Sequence, residues 1–166
     1  MSAASVAKAK PIPDLSAEQP YADAAARIVS VRAAELTEHA QGVLDTGEIE
    51  RVHDMRVATR RLRAALEICE PCFPANAHRE ALGEVKRLAD ALGERRDRDV
   101  ALATLRGFND QMPAPDRRGI LSLIEQLRRE QDDANRQLSP LVEGPHLAAL
   151  RESLDELVAS ARSEAA

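Results

Sequence analysis

Apolar side chains recur every three or four residues along most of this 166-residue chain. That spacing places them on one face of an α-helix, and no segment shows the two-residue alternation typical of a half-buried strand. The chain has one tyrosine, two phenylalanines and no tryptophan, so its core must be built from leucine, valine, isoleucine and alanine. Leucine and alanine favour helices. The sequence therefore predicts an all-α protein.

Turn-forming residues divide this pattern into six predicted helices. They cover residues 22–44, about 48–69, 76–92, 97–108 and 116–139, and the last one follows the segment PLVEGP. Gly93 is expected to end the third helix, and Asp97 to cap the fourth after a hinge at GERRD. Asp99 is expected near the same positively polarised helix end.

These helices predict a single domain with two parts. Residues 1–20 are expected to form a flexible N-terminal arm, and residues 21–166 one helical domain. Within that domain, residues 21–110 are expected to form an antiparallel four-helix bundle unit and residues 115–163 a long helical hairpin. The hairpin either folds back on the unit or packs on another copy of the chain.

Membrane and secretory segments are not expected. The sequence contains no run of about 18 apolar residues, and residues 1–20 hold no apolar block of the kind found in secretory signals. We therefore expect a cytoplasmic protein with no membrane partner.

Positive charge is concentrated in the segment HDMRVATRRLR, although the formal net charge of the chain is −5. At about 100° per residue, a helix places His53, Arg56, Arg60 and Arg63 on one face, while Arg61 lies to its side. This basic face flanks the predicted buried face. Arginine binds phosphate oxygens in pairs, which lysine does not do.

A second basic cluster surrounds the segment ERRDRD. If the helices pack antiparallel, Lys86 and Arg96 could face the first cluster across a shared groove. Arginines one helical turn apart are separated by about 5 to 6 Å, a spacing that suits repeated anionic groups. The alternative is a solvated face, or intramolecular salt bridges to Glu48, Glu50, Glu67 or acids on neighbouring helices. His53 is either a hydrogen-bonding member of the face or a core or capping histidine.

Two motifs resemble those of the CHAD domain, the conserved histidine α-helical domain. Residues 53–63 resemble the family pattern H-x-x-R-V-x-x-R-R-L-R, and residues 92–100 resemble L-G-x-x-R-D-x-D-V. The resemblance implies binding of inorganic polyphosphate along a basic helix-lined groove, without catalysis. Carried over position by position, it identifies the polyphosphate-binding candidates as His53, Arg56, Arg60, Arg61, Arg63, Lys86 and Arg96. Asp97 and Asp99 match the second motif, but a capping role is expected for them.

The sequence departs from the family pattern in its second half. No second motif of the kind H-x-x-R-I-x-x-K-x-L-R-Y follows residue 115, and His146 is followed by Leu147 and two alanines. We therefore hypothesise that two copies associate as a homo-oligomer to complete a two-sided basic channel.

Other functions are less well supported by the residues. A nucleic-acid partner is not expected, because the pI is about 5.4 and three scattered aromatics offer no stacking platform. Weak binding to a nucleic-acid backbone and a purely structural helical adaptor remain the alternatives. No catalytic residue, cofactor or metal site is expected. The pair Cys69 and Cys72 has redox-like spacing but lies at a helix C-terminus, where the helix dipole disfavours a thiolate.

Overall fold

The computed structural model describes residues 8–164, which contain five α-helices and no β-strand. The helices are α1 (Tyr21–His39), α2 (Ile49–Ile68), α3 (Ala75–Gln111), α4 (Arg117–Val142) and α5 (Gly144–Glu164). Single 3₁₀ turns at Glu70–Cys72 and Ala114–Asp116 precede α3 and α4. The prediction of an all-α protein is confirmed.

Prolines and glycines define several helix ends. Pro20 and Pro74 immediately precede α1 and α3, where the missing amide proton removes no helical hydrogen bond. Helix α1 ends at His39 rather than near residue 44. The reason is Gly42, which turns the chain with a left-handed φ of +73° that favours glycine.

The predicted break between the third and fourth helices is wrong. Residues 75–111 form one continuous helix of 37 residues, about 55 Å long at 1.5 Å per residue. Gly93 is inside α3 and does not end it, and Asp97 and Asp99 do not cap a helix. Glu94 pairs with Arg98 one turn later, and such contacts support helical geometry through the charged segment.

The buried core joins α1, α2, the first half of α3 and α5, with the end of α4 alongside. Core residues from α5 share the leucine periodicity seen in the sequence: Leu150, Leu154, Leu157, Val158 and Ala161. Helix α2 lies between α1 and α3, and its buried face lies beside the basic residues. This packing places the basic residues of α2 on the outer side of the bundle.

The second half of α3 pairs with α4, and α5 packs mainly on α1. The predicted hairpin of residues 115–163 is therefore not confirmed. Ion pairs and hydrogen bonds from residues 95, 98 and 99 reach residues 135, 130 and 131, which fixes α3 and α4 as antiparallel. The antiparallel hairpin is thus formed by α3 and α4.

The predicted N-terminal arm is only partly described, since residues 1–7 lie outside the described range. Residues 8–20 precede α1, and several of their atoms contact it. Arg32 donates to the Lys10 carbonyl at 3.1 Å, and Arg27 donates to the Pro13 carbonyl at 3.2 Å. The predicted flexibility of the arm stays a prediction.

Candidate functional site

The outer face of α2 carries a cluster of basic side chains that we call the α2 basic face: His53, Arg56, Arg60 and Arg63. His53 and Arg56 are half-buried and Arg60 is exposed. Among residues 8–164, no hydrogen bond or ion pair engages the side chains of these three. His53 lies within α2 and does not cap it, and it is half-buried and outside the buried core. Arg56 and Arg60 are one turn apart and available to an external anion.

An open depression of about 330 Å³ adjoins this face. It is lined by Val57, Arg60, Arg61 and Ala64 from consecutive turns of α2. The two small apolar side chains leave room between the arginine stems, so an anion at this position would meet guanidinium groups directly.

Lys86 of α3 reaches α2 at one end of the basic face. Glu67 lies between the two helices: Arg63 Nε donates to its Oε1 at 3.0 Å, and Lys86 Nζ lies 3.5 Å from the same oxygen. The hydrogen bond from Arg63 and the charge of Lys86 hold the pKa of Glu67 below its usual range. Arg63 and Lys86 therefore share one internal carboxylate.

Arg96 of α3 contacts α2 at the opposite end of the basic face. Its Nη1 donates to the Ile49 carbonyl at 3.0 Å, and both terminal nitrogens lie 3.3 Å from Glu50 Oε1. Only 17% of the Arg96 side chain is exposed. Arg96 thus ties α3 to the first turn of α2, and it is less accessible to a ligand than Arg56 or Arg60.

Arg61 lines the depression together with Arg60, and its charge also reaches α1. Its charge acts on Glu35, a buried carboxylate of α1 that also accepts hydrogen bonds from Arg32 and from the Lys10 amide. Burial opposes ionisation of Glu35, but these hydrogen bonds and charges outweigh it and lower the pKa of Glu35. Arg61 is therefore electrostatically coupled to an acid within the fold.

Sequence reasoning missed a buried polar network behind the second motif. Arg95 is fully buried in α3; its Nε donates to Asp99 Oδ1 at 3.0 Å and its Nη1 donates to Asn135 of α4 at 2.6 Å. Gln131 of α4 also donates to Asp99. The Asn135 amide donates in turn to the Leu44 carbonyl before α2. The network joins α3 to α4 and to the α1–α2 loop.

The spacing of the buried residues along α3 could have predicted this network. Leu88, Leu92 and Leu102 are buried along one seam of the helix. Arg95 and Asp99 continue that seam at alternating steps of three and four residues. A charged pair at two successive seam positions indicates a buried ion pair, because each charge can neutralise the other.

The two cysteines are buried beside the end of α2. Burial raises the pKa of the Cys69 thiol and of the Cys72 thiol, so the thiolate forms are disfavoured. Among the side chains of residues 8–161, no group of three or more histidine, cysteine or acidic residues could hold a metal ion. None of the helices in residues 8–164 is both long and apolar enough to cross a membrane.

The chain matches a known protein-family model. No curated protein sequence matches the chain. The family model of the CHAD domain matches residues 27–166, most of the chain, and the matched range includes α2 with its basic face and the second motif in α3. On this evidence, the chain belongs to the CHAD domain family.

Proposed function

We propose that this chain binds inorganic polyphosphate on the α2 basic face without catalysing a reaction. The observation that carries the proposal is the pair Arg56 and Arg60, one helical turn apart and without any partner in residues 8–164. Two like charges at this spacing repel each other slightly, and a shared anion would relieve the repulsion. A binding role in the recruitment of the protein to polyphosphate granules would follow.

Charge distribution supports a linear and densely charged ligand. Within an acidic chain, the basic groups lie in a row along α2 from His53 to Arg63, a distance of about 15 Å at 1.5 Å per residue. Lys86 extends this row on the neighbouring helix. A chain of phosphates can contact successive turns at once, whereas a single compact phosphate can contact one or two guanidinium groups. Association of two copies, which would add a second basic wall, remains part of the proposal.

The proposal is tested by the affinity for long-chain polyphosphate over a salt series, with single- and double-stranded DNA of matched charge as competitors. The double variant Arg56→Glu and Arg60→Glu should weaken polyphosphate binding at least 100-fold, because each lost charge-assisted contact contributes about 1.5 kcal/mol or more. Wild-type affinity should fall steeply with salt, as counterion release requires.

The matched control is Arg128→Glu with Arg129→Glu, which makes the same charge change at two exposed positions of α4. This control should bind polyphosphate nearly as well as the wild type, and circular dichroism should show that both variants keep their helices. Equal losses in the two double variants would show that net charge, not the α2 basic face, controls binding. Equal affinity for DNA would favour a general polyanion binder.

A further inference from the structure

Glu67 is an acidic residue placed in line with the α2 basic face. At 100° per residue its direction lies within about 40° of both Arg60 and Arg63, and it follows Arg60 by about 10 Å along the helix axis. A phosphate chain that extends from Arg60 toward Lys86 must therefore pass this carboxylate. In the structure, the Glu67 carboxylate forms ion pairs with both Arg63 and Lys86.

Two contacts link α2 to α3, one made by Arg96 and one by Lys86, and they differ in burial. Arg96 is mostly buried and is also held by a backbone carbonyl, so it is a fixed tie between the helices. The side chains of Arg63, Glu67 and Lys86 are each 42 to 44% exposed, and their mutual contacts involve no backbone atom. Exposed ion pairs of this kind contribute little to stability and exchange readily.

We infer that Glu67 is a specificity-determining residue that acts as an internal counter-anion, which a ligand must displace from Arg63 and Lys86. This inference rests on the proposed function. A short anion held by Arg56 and Arg60 does not reach Glu67. A long polyphosphate does reach it, and several phosphates can replace the single carboxylate on both cations. The face therefore favours long, dense polyanions over anions of sparse charge.

The substitution Glu67→Gln tests this role, because it removes the charge and keeps the size of the side chain. Affinity for long-chain polyphosphate at low salt should rise about fivefold, equivalent to about 1 kcal/mol when 1.4 kcal/mol corresponds to tenfold. The plot of log affinity against log salt should become steeper by about 0.7, the change expected for one further cation that releases a counterion. Affinity for inorganic pyrophosphate should stay unchanged.

The matched control is Glu84→Gln, which makes the same charge change on α3. Glu84 pairs with Arg87 and lies 3.3 Å from His146 of α5, so it is on the side of α3 that faces away from α2. This variant should bind both ligands as the wild type does. An equal gain in Glu84→Gln would attribute the effect to net charge and overturn the inference.

The outcomes separate the inference from the proposed function. Weaker or unchanged polyphosphate binding by Glu67→Gln would overturn the inference, even where the charge reversals at Arg56 and Arg60 abolish binding as proposed. If Glu67→Gln binds polyphosphate and the wild type does not, the ligand does not displace Glu67, and both the proposed function and the inference are wrong. If neither protein binds polyphosphate, both the proposed function and the inference are wrong.

Discussion

Removal of the Asp99 carboxylate should destabilise this fold more than the removal of any acid exposed on its surface. Arg95 and Asp99 are 0% and 1% exposed, and their charges neutralise each other inside the α3–α4 interface. In Asp99→Ala, the Arg95 guanidinium stays buried with Asn135 as its remaining partner. Loss of one member of a buried pair costs about 3 to 5 kcal/mol, and we expect a loss of that size in the free energy of unfolding.

Urea unfolding followed by circular dichroism measures this loss, with the midpoint and slope compared between variants. Glu94→Ala is the matched control, because Glu94 forms the same i,i+4 contact with Arg98 at the surface. An exposed pair contributes about 0 to 1 kcal/mol, so the control should lose no more than that.

A double variant separates the charge effect from a packing effect. Arg95 Nη2 and Asp99 Oδ2 are buried without hydrogen-bond partners in the described residues, so the polar network is incompletely satisfied. Arg95→Met with Asp99→Leu removes both charges together, and apolar replacement of a buried pair is often neutral or stabilising. The double variant should therefore recover most of the stability. If Asp99→Ala costs no more than Glu94→Ala, or the double variant is less stable than Asp99→Ala, the ion-pair reasoning is wrong.

Two further predictions concern α3 and α1. Gly93→Ala should raise the urea midpoint and stabilise the protein by about 0.5 to 1 kcal/mol, because Gly93 is inside a helix and no atom lies within 4 Å of an added Cβ; a lower midpoint would indicate a helix end at this position. The pKa of Glu35 is lowered in the folded chain, so its ionised form stabilises the fold above the usual value of about 4.5 and this contribution is lost as pH falls through the lowered value. The free energies of unfolding of the wild type and of Glu35→Gln should therefore differ at pH 7 and converge as the pH falls, and a difference that does not shrink in acid would contradict this account.

The fold class was predictable because the spacing of apolar residues reports helices directly. Leu150, Leu154 and Leu157 recur at steps of four and three residues, and all three are buried. The partner of that face was not predictable, since a leucine stripe on α5 fits α4 or α1 equally well. The choice depends on tertiary packing, which places α5 against α1.

The break at Gly93 was predicted from local signals that the tertiary structure overrides. Glycine costs a helix about 1 kcal/mol relative to alanine, which is small beside the burial of a long helical seam. Leu102 of α3 and Ile124 of α4 are buried in the second half of the hairpin, beyond the supposed break. The helix continues through Gly93 because both halves of α3 have a packing partner.

The candidate site was partly predictable for a related reason. Helical geometry alone places His53, Arg56, Arg60 and Arg63 on one side of α2, whatever the neighbouring helices do. Whether each basic side chain is paired or accessible to a ligand depends on residues that are distant in sequence. Arg96 faces Glu50 and Ile49, whereas Arg56 has no partner in residues 8–164. Sequence spacing therefore locates the basic face but does not identify its accessible members.

The continuity of α3 has a consequence for this face. Lys86 and Arg96 lie on opposite sides of Gly93, so a helix break there would have put a hinge between the two α3 contacts with α2. Because both residues lie in one continuous helix, the ten residues between their positions fix their separation along the helix axis at about 15 Å. The buried contacts of Arg95 with Asp99 and Asn135 hold α3 to α4 next to Arg96. The backbone beside the α2 basic face is therefore already helical, and a ligand that displaces Glu67 would need to reorder side chains only, with no cost for ordering the backbone of α3.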